Sequence, residues 1–310
     1  MPENNYELLV NDCAVFPAPG SVLIALSGED RKEWLQGQAT NDIRPLELGG
    51  RVSFCFTEPT GQLIADCTVW SLPNRFLLST AHECLDGVLK RVDQMVIMED
   101  VEASHLTLGL VSIQGPLASA KIRELLPLPS LDGGVSRYHG TEAIALRNDR
   151  SGVGGWDLWL EPAAAVALRN QFEAVSEGVA EIARVEAGIP VFGREMTHKT
   201  LPPELGEHFV SSHISYTKGC YTGQEVLMRI FSRGHTNRSM VGLHAKGPIT
   251  VGDIVHHEAR EDAGVVTSSC ISPVYGNIAL AMVRKEALDG SVSVGTQSAE
   301  IRALPSRRVG

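Results

Sequence analysis

The 310-residue chain has few aromatic residues and no excess of basic ones. Aromatic side chains make up only 5% of the residues, so aliphatic packing must supply most of the buried surface. Lys and Arg number 27 against 37 Asp and Glu, which gives a formal net charge of -10. Nucleic-acid binding depends largely on cationic side chains that neutralise phosphates. The charge balance therefore argues against nucleic acid as a direct partner.

The sequence also lacks long hydrophobic runs and paired cysteines. No stretch reaches the roughly 18 apolar residues that a membrane-spanning helix needs. The first residues, MPENNYELLV, carry acids and amides where a signal peptide has basic residues. The six cysteines form no C-x-x-C pair, so local spacing predicts neither a disulfide framework nor a metal site. We expect a cytoplasmic protein with reduced thiols, no membrane partner and no bound metal.

The first two thirds of the sequence contain a diverged repeat. SVLIALSGEDRKEWLQGQ (21–38) and LTLGLVSIQGPLASAKIRELL (106–126) each have an alternating apolar run, a glycine and then a helical pattern. Each is followed by strand patterns around a Gly-containing turn, and then by another helix, which we place over Ala163–Val175 in the second unit. Such patterns predict antiparallel α+β units. Gene duplication and chance similarity both remain open.

The last third of the sequence has two different patterns. From Glu181 onward, prolines and glycines predict loops and short helices rather than one long helix. After Gly234 the chain consists of short strand patterns, which predict a small β-barrel or sandwich. The predicted fold class is α+β. We divide the chain into a first α+β unit (1–106), a second unit (107–236) and a C-terminal β-barrel (237–310).

The segment KGCYTGQE (218–225) is the most informative one in the sequence. The apolar spacing after it predicts a short helix that begins near Gly223, so Cys220 lies just before a helix N-terminus, with Lys218 two residues away. Both the helix N-terminus and the ammonium favour a thiolate. A reactive thiol and a packed thiol both remain open for Cys220.

The same region is locally basic within an acidic chain. Between positions 218 and 246 the sequence has five basic residues and one acidic residue, Glu225. The basic residues are Lys218, Arg229, Arg233, Arg238 and Lys246. A site for a small anionic ligand and an ordinary solvated face are both compatible with this pattern.

KGCYTGQE resembles the signature of the YgfZ group of folate-dependent proteins, which is similar to the glycine-cleavage T-protein. Three further segments resemble the same family: WLQGQATND (34–42), ARVEAGIPVFGRE (183–195) and GVVTSSCISPVYGNIALAMV (264–283). The resemblance implies duplicated α/β lobes around a central folate cavity, followed by a small antiparallel β-barrel.

The resemblance also implies a function. It predicts a protein that binds tetrahydrofolate and supports the assembly or repair of iron–sulfur client enzymes, including those that modify tRNA. The alternative is a folate-dependent aminomethyltransferase or demethylase of the T-protein type, and a third possibility is a non-enzymatic scaffold. Whether the chain catalyses a reaction stays open here.

Individual site residues follow from the family motifs. Glu186 matches the T-protein position that would hold the pterin ring, although a surface acid paired with Arg184 is the alternative. Asp66 aligns with the acidic end of a T-protein segment, and for it we expect ligand contact rather than catalysis. Cys220 and Lys218 are the predicted catalytic pair. The other predicted folate-binding residues are Tyr221, Gln224, Glu225, Arg229 and Arg238.

Overall fold

The computed structural model describes residues 2–128, 130–288 and 291–304, so the end of the predicted 237–310 unit lies outside the described residues. None of the helices in these ranges is long and apolar enough to span a membrane. The helices are α1 (Pro2–Asn11), α2 (Arg31–Gln38), α3 (Leu85–Met95), α4 (Ala118–Leu125), α5 (Pro162–Arg169), α6 (Glu177–Ala187), α7 (Glu207–His213) and α8 (Gln224–Arg233).

The strands form two open sheets and a closed barrel. The sheet strands are β1 (Ala14–Phe16), β2 (Ser21–Ser27), β3 (Arg51–Thr57), β4 (Leu63–Ser71), β5 (Phe76–Ala81), β6 (Glu102–Leu106), β7 (Gly109–Gln114), β8 (Gly133–Tyr138), β9 (Thr141–Arg147) and β10 (Gly155–Leu160). The barrel strands are β11 (Arg238–Ala245), β12 (Ile254–His257), β13 (Arg260–Ser272), β14 (Gly276–Arg284), β15 (Ser291–Val294) and β16 (Gln297–Arg302).

The two sheets have equivalent topologies and exchange one strand each. The first has the order β3-β4-β5-β2-β6, and the second has the order β8-β9-β10-β7-β1. Along the chain β1 directly precedes β2 and β6 directly precedes β7, yet β1 pairs with β7 and β6 pairs with β2. Each sheet is therefore completed by the strand that leads into the other sheet.

The two sheets pack face to face, with helices on their outer faces. Leu23, Trp70 and Leu77 of the first sheet form one buried cluster with Ile144 and Trp159 of the second. Buried side chains of α2 and α3 cover the outer face of the first sheet. Buried side chains of α4 and α5 cover the outer face of the second sheet. Consecutive apolar residues, such as VLIAL (22–26) of β2, supply side chains to both faces of the sheet, because successive side chains of a strand point to opposite sides.

The C-terminal strands close into an antiparallel barrel with the order β11-β14-β13-β12-β15-β16. Its interior is aliphatic, with Leu243, Val266 and Val283 fully buried. A separate apolar cluster joins the barrel to the rest of the chain and includes Val185 and Leu280. Of the two predicted architectures, barrel or sandwich, the barrel is confirmed.

The prediction of short helices and loops after Glu181 is confirmed, and the helix predicted over Ala163–Val175 is wrong in its bounds. Residues 181–187 are helical as part of α6, because Ser176 caps its start and the φ of +66° at Gly188 ends it, so the later prolines do not interrupt it. The helix predicted over Ala163–Val175 ends at Arg169. The chain then extends, and the N–H of Val175 donates to the carbonyl oxygen of Val15 in β1.

Candidate functional site

A cavity of about 1260 Å³ opens where the first sheet, the segment after α6, helix α7 and the barrel meet. Strands β3 and β4 contribute Ser53, Asp66 and Thr68 to its wall, and the lining also includes the aromatic rings of Phe192 and Phe209. Ligand sites of this kind combine an apolar lining with a few converging polar groups. The cavity is the candidate ligand site of the molecule.

Asp66 and His213 meet at the wall of this cavity, on strand β4 and at the end of helix α7. Asp66 Oδ1 lies 3.1 Å from Nε2 of His213. The atom Oδ1 is buried and accepts no hydrogen bond from the part of the chain that the structure describes. The contact with His213 therefore has the distance of an ion pair but not the alignment of a hydrogen bond. The Asp66 side chain is 29% exposed and lines the cavity, so its exposed part faces the cavity. The sequence prediction placed Asp66 at the ligand, and this position is compatible with it.

Arg184 forms a buried polar network along another part of the cavity wall. Its guanidinium donates to Glu181, to Glu195 and to the carbonyl oxygen of Ile189. It also donates to the hydroxyl of Ser268 in the barrel, which in turn donates to Glu195. The network connects helix α6, the following loop and the barrel through one side chain.

Glu186 is fully buried and is engaged by other parts of the chain. The hydroxyl of Tyr6 donates to both carboxylate oxygens, at 3.0 and 2.9 Å, and the hydroxyl of Ser272 donates to one of them at 2.6 Å. The alternative of a surface acid paired with Arg184 is wrong, because Arg184 binds Glu181 and Glu195. Among the described residues that line the cavity Glu186 is absent, and its contact with a pterin stays a prediction.

The KGCYTGQE segment packs against the hairpin between β3 and β4, outside the cavity lining. The Thr57 hydroxyl donates to the carbonyl oxygen of Thr222 at 2.7 Å. Gly223 has a φ of +86°, and a Cβ there would lie 2.6 Å from Oγ1 of Thr57. Only glycine tolerates both conditions. Helix α8 begins at the next residue, Gln224, as the apolar spacing predicted.

Lys218 is buried, and its ammonium lies against main-chain carbonyls rather than in open solvent. Nζ donates to the carbonyl oxygens of Gln36, Ala39 and Asn41 at 2.6, 2.6 and 2.9 Å. Burial lowers the pKa of Lys218 to about 8, while the three carbonyl acceptors favour the protonated form. Its contacts hold the signature segment onto the end of helix α2. A catalytic role for Lys218 stays a prediction.

Cys220 is the exposed cysteine of the chain, whereas four others are buried and Cys270 is intermediate. Burial raises the pKa of Cys270 to about 12, so that thiol stays protonated and unreactive at neutral pH. Cys220 precedes the N-terminus of α8 at the surface. This placement fits an accessible thiol better than a packed one.

The remaining predicted binding residues of the signature region lie on or near helix α8. Tyr221 is buried, burial raises its pKa, and its hydroxyl has no hydrogen-bond partner among the described residues. Gln224 Nε2 donates to the carbonyl oxygen of Gly219 at 3.4 Å. Arg229 pairs with Glu225 one turn earlier, at 2.8 Å on the exposed face of the helix.

The basic stretch does not form a cationic mouth to the cavity. Arg238 holds both carboxylate oxygens of Glu204 at 3.0 Å, and Lys218 and Arg229 are engaged as described above. None of the five basic side chains of the stretch is among the described residues that line the cavity. The cations at the cavity belong to other segments and include Arg51, Arg150 and Arg194.

Sequence reasoning missed His213 and Arg51. The two histidines of EHFVSSH (207–213) form no recognisable motif, and nothing near Arg51 in the sequence indicates a site. Only the folded chain brings these side chains to the cavity that Asp66 lines. An i, i+4 spacing of Phe209 and His213 on one helix face was the available signal for their stacking.

The amino-acid sequence is similar to a known domain family and to several named proteins. A model of the GCVT N-terminal domain matches residues 3–213. An aminomethyltransferase of Rubrobacter xylanophilus is 30% identical over 293 residues, covering 86% of this chain and 75% of the relative. A putative chloroplastic transferase of Arabidopsis thaliana is 24% identical, covering 88% of this chain and 66% of the relative.

The fold is also similar to a solved structure. The glycine cleavage system aminomethyltransferase T from Bartonella henselae superposes with a TM-score of 0.84, covering 98% of this chain and 89% of that one, at 20% identity. This match confirms the predicted α+β fold with a C-terminal barrel. The domain match covers more than half of the chain, and the chain therefore belongs to the GCVT N-terminal domain family.

Proposed function

We propose that this protein binds tetrahydrofolate in the central cavity and uses it to accept a one-carbon unit from an amine. The observation that carries this proposal is Asp66, a carboxylate on the cavity wall with a buried oxygen that accepts no hydrogen bond from the described residues. The names of the relatives, aminomethyltransferases from several bacteria, support the same reaction class.

The cavity residues fit a reduced folate in size and chemistry. Sites for drug-sized ligands have volumes of about 300–1,000 Å³, so a cavity of about 1260 Å³ has room for one folate and a second reactant. Phe192 and Phe209 offer faces for a flat ring. Arg51 lies 3.7 Å from Asp132, which is a loose ion pair, so its guanidinium can still bind an anionic tail.

In this proposal the bound folate would supply the nitrogen that accepts the one-carbon unit. Asp66 orients an N–H group of the ligand and stabilises positive charge that develops beside it. The surrounding sheets, helix α7 and the barrel limit the access of water to the reacting atoms. The mechanism needs no thiol, so Cys220 takes no part in it.

Replacing Asp66 with Asn is expected to weaken tetrahydrofolate binding by about 10- to 100-fold, because a hydrogen bond to a charged group contributes about 1.5–3 kcal/mol. Isothermal calorimetry with tetrahydrofolate or folinic acid measures the change. Asp262→Asn is the matched control, since Asp262 is exposed on β13 and is not among the described residues that line the cavity. Wild-type protein that binds neither ligand at high micromolar concentration would exclude the proposal. Formation of methylene-tetrahydrofolate from an aminomethylated lipoyl carrier tests the transfer itself.

Exposed Cys220 favours a second candidate function, that of a YgfZ-like accessory protein for iron–sulfur enzymes. Client enzymes, including tRNA-modifying ones, would be the partners, and any link to tRNA would run through them. Support comes from the match of KGCYTGQE to the signature of that group and from the accessibility of its thiol.

Cys220→Ser is expected to abolish complementation of a strain that lacks the endogenous factor while leaving folate binding unchanged. The reason is that the thiol is exposed and is not among the described residues that line the cavity. Growth and client-enzyme activity are the measurements. Cys270→Ser serves as the control and should complement fully. Full complementation by Cys220→Ser would remove the thiol from the function.

A further inference from the structure

The segment that follows helix α2 runs along the edge of the first sheet beside strand β3, and we call residues 39–42 the edge segment. The N–H of Thr40 donates to the carbonyl oxygen of Cys55 at 3.1 Å, and the N–H of Cys55 donates to the Thr40 hydroxyl at 2.8 Å. Ala39 lies opposite Phe56 in an isolated antiparallel bridge. Because Thr40 is also fully buried, the edge segment belongs structurally to the first sheet.

The edge segment also binds the C-terminal end of helix α7. The Thr40 hydroxyl donates to the carbonyl oxygen of His213 at 2.7 Å. Nδ2 of Asn41 donates to the carbonyl oxygen of Ser212 at 2.8 Å and to that of Ser53 in β3 at 2.9 Å. The last carbonyls of a helix have no partners within it, so these bonds satisfy two of them from outside. Asn41 therefore connects α7 to β3 through one side chain.

Both elements that Asn41 connects are walls of the cavity. Strand β3 contributes Ser53 to the lining, and helix α7 contributes Phe209 and His213. None of residues 39–42 is among the described residues that line the cavity. Asn41 thus fixes the spacing of the two walls from outside the lining. A side chain in this place affects ligand binding through the groups that it keeps in position before the ligand arrives.

The edge segment also binds the lysine of the KGCYTGQE segment. Three carbonyl oxygens accept from Nζ of Lys218, and two of them belong to Ala39 and Asn41, at 2.6 and 2.9 Å. The N–H of Ser215, just before the KGCYTGQE segment, donates to the carbonyl oxygen of Thr40 at 3.0 Å. Asn41 therefore contacts the cavity walls through its side chain and Lys218 through its main chain.

We propose that Asn41 is a positioning residue that spaces the two walls of the cavity, and that the edge segment couples ligand binding there to the order of the KGCYTGQE segment. A ligand that contacts both β4 and α7 favours one spacing of the walls, and that spacing keeps the carbonyl acceptors of Lys218 aligned. Such coupling is reciprocal, so a loosened KGCYTGQE segment must weaken ligand binding. The inference rests on the proposed function, because tetrahydrofolate is the ligand that tests it.

Asn41→Asp tests the positioning role, because it preserves the shape of the side chain and the bond from the N–H of Asp42 to Oδ1. It removes both donor bonds and places a carboxylate opposite two carbonyl oxygens. Tetrahydrofolate binding measured by calorimetry should weaken by about tenfold or more, and in Asn41→Ala by about three- to tenfold. A side chain that only fills space would tolerate Asp better than Ala, so that order of effects overturns the positioning role.

Asn170→Asp is the matched control for the added charge. Asn170 is exposed at the end of helix α5 and is not among the described residues that line the cavity. Its affinity should equal that of the wild type. Circular dichroism establishes that each variant is folded, and Asn41→Ala alone decides the question if Asn41→Asp does not fold. Wild-type affinity in Asn41→Ala overturns the positioning role.

Hydrogen exchange measures the coupling, and the Ser215 amide reports on it directly because its bond runs to the edge segment. Saturating tetrahydrofolate should slow exchange over residues 215–223 by about fivefold or more in the wild type, but not in Asn41→Asp. Lys218→Met should in turn weaken tetrahydrofolate binding, whereas Lys246→Met, at an exposed position, should bind like the wild type. Exchange that is indifferent to the ligand, or unchanged affinity in Lys218→Met, overturns the coupling.

Failure of the proposed function gives a different pattern of results. If the wild-type protein binds no folate, the proposed function and the coupling fail together, and exchange in the unliganded protein decides the positioning role. There Asn41→Asp should speed exchange of the Ser215 amide by about tenfold or more relative to Asn170→Asp. An unchanged rate at Ser215 overturns the positioning role. If folate binds but Asn41→Asp changes neither affinity nor exchange, the inference fails and the proposed function stands.

Discussion

Arg184→Met is expected to lower the free energy of unfolding by about 4 kcal/mol, since removal of one partner from a buried ion pair leaves an uncompensated charge. The charge left behind is Glu195, whose side chain is completely buried. Its remaining donors would be the Ser268 hydroxyl and the N–H of Val191. Denaturant unfolding followed by circular dichroism measures the loss.

Two further variants define the cause of this loss. Arg194→Met removes the neighbouring partner of Glu181, but that arginine is 49% exposed, so the cost should stay below about 1 kcal/mol. Adding Glu195→Gln to Arg184→Met should recover part of the stability, because the stranded charge is then gone. A loss below about 1 kcal/mol for Arg184→Met, or no recovery in the double variant, would contradict the buried-charge account.

Lys218→Met should lower the free energy of unfolding by about 3 kcal/mol, because three main-chain carbonyls lose a charged donor at positions that are buried or partly buried. The methionine side chain retains most of the stem, so the loss reports on the ammonium rather than on packing. Denaturation midpoints measure it. Proteolysis within the signature segment should also become faster, since the attachment of that segment to the end of α2 is weakened.

The matched control is Lys246→Met, which removes another lysine of the basic stretch from an exposed position. Its midpoint should equal that of the wild type. The same pair of variants separates the structural and chemical roles of Lys218. If Lys218→Met folds with unchanged stability but loses complementation, the ammonium acts on Cys220 chemistry and not on the fold.

The fold was largely predictable because its strands and helices follow local periodicity. The start of α8 after Gly223 and the barrel after Gly234 both follow from residues within a few positions of each other. The start of α6 at Glu177 was not predicted, although Ser176 caps it, whereas its end at Ala187 agrees with the glycine and proline that follow. A glycine or proline that ends a helix does not prevent the residues before it from being helical.

The site was less predictable because it depends on which charges meet in space. Arg238 and Glu204 are 34 positions apart, and their pairing removes one cation from the basic stretch that the sequence suggested as a ligand site. Asp66 and His213 come from different units of the chain, and no local spacing relates them. Family motifs indicated Asp66, but only the folded chain supplies its partner.

The reciprocal exchange of β1 and β6 has a consequence for how the chain is made. Ala14 is paired with Gln114, so the first strand to leave the ribosome waits for a partner that is translated about 100 residues later, which at about 5–20 residues per second is on the order of 5–20 s. The first sheet likewise cannot finish before β6 has emerged. The first sheet is complete once β6 has emerged, whereas the second sheet combines β1 from the start of the chain with strands that continue to Leu160. Strand β1 therefore stays without its sheet partner while the whole first sheet is being made.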